Sequence, residues 1–309
     1  MATELEFRAM GSDAHVIVAG GTPELAALAR RRIDELERRW SRFIESSEVN
    51  ELTRRAGEWV RVSRETVLLV RRAVEAWRLT GGSFDPTVLG DVIRAGYDRS
   101  FDDLPEHGAD GVSALMAGCS DIEIEDDTVR LPVGTGFDPG GIGKGLAADL
   151  VVDDIATAGA AGVCINLGGD LRVRGEAPTG GAWTVAVDHP WSDTPVVNVG
   201  LTDGAVATST TLRRRWDVDG ETRHHLIDPG THRPAATDLT LATVVTGDAW
   251  VAEVLAKAVL LRGLPHQFDL IGGTGAEALV VDDAGRVLVS DGFAAFTGGV
   301  TPTSIPVPG

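Results

Sequence analysis

The chain has only two cysteines among its 309 residues, Cys119 and Cys164. Two thiols build neither a disulfide framework nor a cysteine-based zinc site by themselves, and both sit beside small or apolar neighbours, the usual setting of a buried free thiol. A reducing compartment is expected. No apolar run approaches the roughly 20 residues of a membrane-spanning helix. The opening MATELEFRAMGSD lacks a basic stretch followed by an apolar one. The expectation is a cytoplasmic protein with no membrane insertion. Basic side chains are scarce as well: 28 Lys and Arg stand against 46 Asp and Glu, a net charge of −18. Such a surface repels phosphate backbones and excludes a nucleic-acid binder held by charge neutralisation. Aromatic residues make up only 5%, so few side chains, Phe43 and Phe84 among them, could meet a planar ring.

Glycine is plentiful at 38 residues, grouped in discrete places that mark tight turns rather than low complexity. With 43% hydrophobic and 24% charged residues, the chain is long enough to bury a substantial core. From Thr22 the run TPELAALARRRIDELERRW puts Leu25, Ala29, Ile33, Leu36 and Trp40 on one helical face, with Pro23 at the first helical position. A second helix starts at Ser63, carries Val67, Val70, Val74 and Trp77 on one stripe, and stops at Gly81-Gly82. The pieces IEIE and TVRL flank Asp126-Asp127 and predict a hairpin. A helix follows Gly145 as far as Gly159, then GVCINL as a buried strand, then strand-length segments LRVRG, WTVAVDH, VVNVG, AVATS and RWDVDG. The last third predicts a helix from about Asp248 to Arg262, a short helix after Pro265, and a hairpin in EALVVDDAGRVLVS. The fold class is therefore α+β, mixed sheets with helices. Residues 1–300 read as one domain and 301–309 as a loose tail.

The densest cluster of chemistry is Phe137-Asp138-Pro139-Gly140-Gly141-Ile142-Gly143-Lys144-Gly145, a glycine-rich loop opening a helix. Backbone amides there can approach a phosphate, the helix dipole favours negative charge, and Lys144 adds a point charge; a purely structural turn is the competing reading. It is not a Walker loop, because Asp138 replaces the first glycine and Gly145 the Ser or Thr. The loop alone would also suit a nucleotide-binding regulatory protein. A second cluster, Gly272-Gly273-Thr274-Gly275-Ala276, precedes a strand rather than a helix and reads as a loop. In Arg223-His224-His225-Leu226-Ile227-Asp228-Pro229 the two imidazoles fall on opposite faces of a strand, so only one can enter a site. No HxxxH or HExxH spacing supports a histidine metal site.

In chain order these segments resemble the ApbE-type FAD:protein FMN transferase family across nearly the whole sequence. They are Phe7-Arg8-Ala9-Met10-Gly11, a turn at Ser47-Glu48-Val49-Asn50-Glu51-Leu52, Phe84-Asp85-Pro86-Thr87, and Asp138 to Gly145 with Asp149. Asn166-Leu167-Gly168-Gly169-Asp170, Val206-Ala207-Thr208-Ser209, and His224 to Pro229 with Thr231 complete the series. The resemblance implies intertwined subdomains that hold FAD in a cleft and move its FMN half onto a Thr or Ser hydroxyl of a target protein, releasing AMP. It implies an FAD site lined by Met10, Phe43, Ser83, Phe84, Asp85, Asp138, Lys144 and Ile227, with His225 as the base and Asp228 assisting it.

The resemblance also implies Mg2+, held by the Gly141 carbonyl and by a helix motif whose aspartate and threonine become Glu253 and Lys257 in Ala252-Glu253-Val254-Leu255-Ala256-Lys257. An ammonium then stands where a hydroxyl oxygen would meet the cation, on the same helical face as Glu253. Three outcomes are open: Lys257 replaces the metal at the diphosphate, Glu253 with a neighbour such as Asp248 still binds Mg2+, or the chain is a non-catalytic FAD-binding protein. FAD hydrolysis in place of transfer is a further alternative.

Overall fold

The computed structural model describes every residue except Met1, Pro105, Glu106, Ala109, Asp110, Asp219, Thr301 and residues 303–309. The tail at 301–309 thus lies, apart from Pro302, outside the described residues. Among the described residues six α-helices are formed: α1 (Pro23–Trp40), α2 (Glu48–Arg54), α3 (Arg64–Leu79), α4 (Leu89–Arg94), α5 (Gly143–Thr157) and α6 (Ala249–Arg262). The chain divides into two compact units. The first comprises Met1–Asp34, Lys144–Thr210 and Thr237–Gly309, and the second Glu35–Gly143 and Thr211–Ala236.

The first unit is built on an eight-stranded sheet whose spatial order follows the chain: Ala2–Ala9, Ser12–Ala19, Gly162–Leu167, Asp170–Gly175, Asp203–Thr210, Leu239–Thr246, Glu277–Asp282 and Val287–Val289. Every neighbouring pair is antiparallel. The first two strands are joined through Met10 and Gly11 at φ 51° and 66°, the left-handed pair that a two-residue hairpin turn of right-handed twist requires. Leu171, Val173, Val206, Leu241, Val245, Leu279 and Val281 bury one sheet face against Trp183, Val187 and Val199 of a long hairpin and against Phe293. Ala205, Ala207, Ala242 and Val244 alternate with them and are equally buried, so they point to the opposite face. There α6 packs on Asp203–Thr210 and Leu239–Thr246. Leu239–Thr246 is buried at all but its last residue, which is why it reads as a nearly continuous apolar run.

The start of α6 is anchored by α5. Asp149 accepts the backbone N–H groups of Ala249 at 2.8 Å and Trp250 at 3.0 Å, satisfying donors that a helix start leaves open. Asp248, in the N-cap position itself, makes no capping bond. Arg172 reaches Asp149 with Nε at 3.2 Å and Asp203 with Nη1 at 2.6 Å. Burial outweighs these favourable contacts and pushes the Asp149 carboxyl up to about 7.

In the second unit, α3 begins at Ser63, whose hydroxyl accepts the Thr66 N–H at 3.3 Å. The hairpin Glu123–Glu125 and Thr128–Arg130 turns through Asp126 at φ 46° and adds Val60–Arg61 as a third strand. A smaller core gathers Val92, Ala95, Tyr97, Trp216, Val218 and Ile227. Two expectations are corrected. No helix follows Pro265; residues 267–275 are turns, a glycine-rich stretch whose Gly273 and Gly275 take positive φ. The segment from Ser47 is not a turn but α2, capped by the Ser47 hydroxyl on the Asn50 N–H at 3.3 Å.

Because the folded Asp149 carboxyl titrates above its ordinary 3.8, its contribution to stability is complete below about pH 4 and is lost as the pH rises through 7. Denaturant titrations between pH 5 and pH 8 should show that loss in the wild type. In Asp149→Asn the slope should flatten while the protein becomes less stable throughout.

Candidate functional site

In the second unit three loops are tied together. The chain leaving α1 is fixed by the Asn50 amide, whose Nδ2 donates to the carbonyls of Arg42 at 2.9 Å and Ile44 at 2.8 Å. The chain leaving α3 is fixed by Thr80, whose hydroxyl accepts the Phe84 N–H at 3.0 Å and donates to the Ala76 carbonyl at 2.9 Å. Phe84 is thereby buried, and Ser83 and Asp85 flank it. Asp85 turns its Oδ1 onto the Thr87 N–H at 2.7 Å. The glycine-rich loop joins at Asp138, whose N–H donates to the Pro86 carbonyl at 2.7 Å and whose Oδ1 accepts the Gly140 N–H at 2.8 Å. The bond from Asp138 to Pro86 is the stitch between the second and third loops.

The same loops meet an aromatic cluster. The Arg42 guanidinium lies 4.2 Å from the Phe43 ring centroid and 4.5 Å from that of Tyr97. Tyr97 packs on Trp216 at 5.6 Å between centroids, and Ile227 belongs to the same core. The structure therefore brings Phe43, Asp138 and Ile227 together around Arg42 and Tyr97, two residues the sequence reading did not single out. Gly141, at φ 115°, lies in the glycine-rich loop.

His224 closes the strand Glu221–His224 and His225 is the next residue. His224 accepts the Leu226 N–H on Nδ1 at 3.3 Å and donates from Nε2 to the Ala235 carbonyl at 3.1 Å. Burial lowers its pKa, which favours the neutral imidazole. His225 follows the strand Glu221–His224 and is half-buried. Asp228 accepts the Gly230 N–H at 2.9 Å on Oδ1 and the Thr231 hydroxyl at 3.0 Å on Oδ2, so both of its oxygens hold the loop that carries them.

In the first unit Met10 occupies the tip of the opening hairpin. Lys144 and Glu253 meet where α5 passes the start of α6. Glu253 is buried and accepts the Gly145 N–H on Oε2 at 2.8 Å; Lys144 Nζ stands 3.7 Å from its Oε1 and is ion-paired to buried Asp170. Asp170, at the start of its strand, was visible only as the end of the motif Asn166 to Asp170. Burial, then the Asp170 charge, pushes Glu253 up to about 7, while Lys144 and half-buried Lys257 pull it down. The cluster is thus two acids balanced by two ammonium groups. Among the described residues no group of three or more His, Cys, Asp or Glu side chains is arranged to hold a metal ion. The side chains around Glu253 also do not fit Mg2+, which takes a shell of oxygen donors.

The ApbE family profile matches residues 10–280. An FAD:protein FMN transferase of Vibrio cholerae is 27% identical over 269 residues, covering 85% of this chain and 79% of that protein. One of Treponema pallidum is 27% identical over 253 residues, covering 75% and 69%. Among solved structures, the ApbE protein of Thermotoga maritima superposes with a TM-score of 0.86 at 27% identity, covering 96% of this chain and 99% of that one. The flavinyl transferase ApbE of Pseudomonas stutzeri shares the fold, with a TM-score of 0.83 at 21% identity, covering 97% and 98%.

The contact between α5 and α6 is testable at Gly145, where an added Cβ would stand 2.3 Å from the Ala249 carbonyl oxygen and 2.7 Å from the Trp250 nitrogen. Alanine in a helix interior ordinarily stabilises by up to about 1 kcal/mol relative to glycine. Here Gly145→Ala should instead destabilise by about 1–3 kcal/mol, the cost of overpacking, as read from the denaturant midpoint.

Proposed function

Since the chain belongs to the ApbE family, we propose that it is an FAD:protein FMN transferase, moving FMN from FAD to a Thr or Ser hydroxyl of a target protein and releasing AMP. The observation that supports this best is the stitching of the Asp85 and Asp138 loops through the 2.7 Å bond from the Asp138 N–H to the Pro86 carbonyl, beside the half-exposed ring of Phe43. In this reading Phe43, Ser83, Phe84, Asp85, Asp138 and Ile227 of the second unit bind FAD, as do Met10 and Lys144 of the first. Residues 1–300 serve as one functional domain. The free thiols of Cys119 and Cys164 fit a reducing compartment, and the proposed acceptor is a cytoplasmic protein.

The proposed step is a displacement at phosphorus. His225 takes the proton of the acceptor hydroxyl, the hydroxyl oxygen forms a bond to the FMN phosphorus, and the bond to the bridging oxygen of the diphosphate breaks. AMP leaves with that oxygen and its electron pair. Charge builds up on the diphosphate as it breaks, and groups aimed at such charge lower the barrier. The family expectation assigns this task to Mg2+ held by Gly141 and Glu253. The donor set does not fit that ion, because Glu253 is engaged by the Gly145 N–H and lies among ammonium groups. We assign the task to the Lys257 ammonium, with Lys144 neutralising the buried carboxylates of Asp170 and Glu253.

Incubation of the protein with FAD and a candidate acceptor domain should yield AMP and an acceptor whose mass has increased by one FMN group. AMP without the mass increase would identify an FAD diphosphatase, and bound FAD without AMP a non-catalytic flavin-binding protein; either result contradicts the proposal. His225→Ala should slow transfer by about 10²–10⁴-fold, the usual contribution of a positioned base, and leave FAD binding in place. An unchanged single-turnover rate would remove His225 from that role.

A further inference from the structure

The side chain of Arg42 is only 8% exposed, and its guanidinium is held on its faces and at Nη1 but not along the Nε–Nη2 edge. Its faces are covered by Phe43 and Tyr97. Nη1 donates to the Tyr97 carbonyl at 3.0 Å. Nε faces Asp138 Oδ2 at 3.7 Å, beyond hydrogen-bonding reach. Nη2 is buried and has no hydrogen-bond partner. A buried donor left without a partner is costly, and more so on a charged group, so a bound molecule that supplied an acceptor to Nη2 would gain from it.

The chemistry of that binding partner follows from the neighbours. Nη2 lies on the same edge of the guanidinium as the Nε–H, the edge turned toward Asp138. Asp138 has given its Oδ1 to the Gly140 N–H, which leaves Oδ2 as an acceptor beside the Arg42 donors. A phosphate brought there would meet the Asp138 carboxylate as a like charge. A neutral ring edge bearing both a carbonyl oxygen and an N–H would satisfy donor and acceptor together. Phe43 adds an apolar ring, 41% exposed, next to the same guanidinium.

We propose that Arg42 is a flavin-binding residue whose Nη2 donates to a carbonyl oxygen on the pyrimidine edge of the isoalloxazine ring, with Asp138 Oδ2 accepting the ring N–H beside it. This rests on the reading of the chain as an FAD:protein FMN transferase. Arg42 positions the flavin end of FAD and takes no part in breaking the diphosphate.

The test compares binding of FAD and of ADP by wild type and Arg42→Lys, which keeps a cation beside Asp138 but loses the planar fork. FAD binding should weaken by about 10–100-fold, the worth of a hydrogen bond to a charged group, while ADP binding stays within twofold. Equal FAD affinity in the two proteins overturns the proposal. An equal loss for FAD and ADP also overturns it, by moving Arg42 to the diphosphate. A wild type that binds ADP but not FAD would sink the transferase reading itself, a different failure. Should Arg42→Lys not fold, wild-type protein with 2-thio- and 4-thio-FAD decides: sulfur accepts weakly, so at least one analogue should bind about tenfold more weakly than FAD. Two analogues that bind as FAD does would contradict the assignment.

Discussion

The approach of α5 to the start of α6 is the constraint on which the first unit depends. At Gly145 the two backbones come so close that a single methyl group would overlap the Ala249 carbonyl. That proximity lets the Gly145 N–H reach the Glu253 carboxylate, and one turn further along α5 it lets Asp149 cap α6. Lys144, one residue before Gly145, is delivered to Asp170 and Glu253 by the same crossing. A glycine, a capping aspartate and a lysine within six residues thus fix both the position of a buried helix and the charge around Glu253.

Charge balance then decides what this cluster can do. Two buried carboxyl groups would be prohibitive without compensation, and Lys144 with Lys257 provides it. A divalent cation would have to compete with ammonium groups for Glu253, in surroundings that already push this carboxyl toward its neutral form. In the second unit the same balance takes another form. Arg42 is buried because two aromatic rings cover its faces and a carbonyl and a carboxylate face its edges, so its unpartnered Nη2 has a defined direction.

Much of this was legible in the chain. The helical periodicity of TPELAALARRRIDELERRW and of the segment after Ser63 gave α1 and α3, since residues of their apolar stripes, such as Ile33, Leu36, Val70 and Val74, are buried. Asp126-Asp127 marked a hairpin because one residue of the turn must take positive φ, and Asp126 does. The motif order identified the loops at Asp85 and Asp138. The strand Leu239–Thr246 escaped notice because burial on both faces removes the alternation that reveals a strand. The first strand, Ala2–Ala9, alternates, but its acidic residues and its place at the sheet edge leave only a half-buried stripe. Arg42 was illegible for a different reason. An arginine after a helix ordinarily reads as solvated, and its burial comes from Tyr97 and Asp138, which are distant in sequence. The ion pair of Lys144 with Asp170 depends likewise on sheet register.

The metal dependence of FMN transfer tests the central claim most directly: that ammonium charge at Lys257 stands in for a bound cation. The account predicts equal transfer rates for the wild type in Mg2+ and in EDTA, and a Glu253→Asp/Lys257→Thr double variant active only when Mg2+ is supplied. A wild type that falls silent in EDTA and recovers on addition of Mg2+ would contradict it.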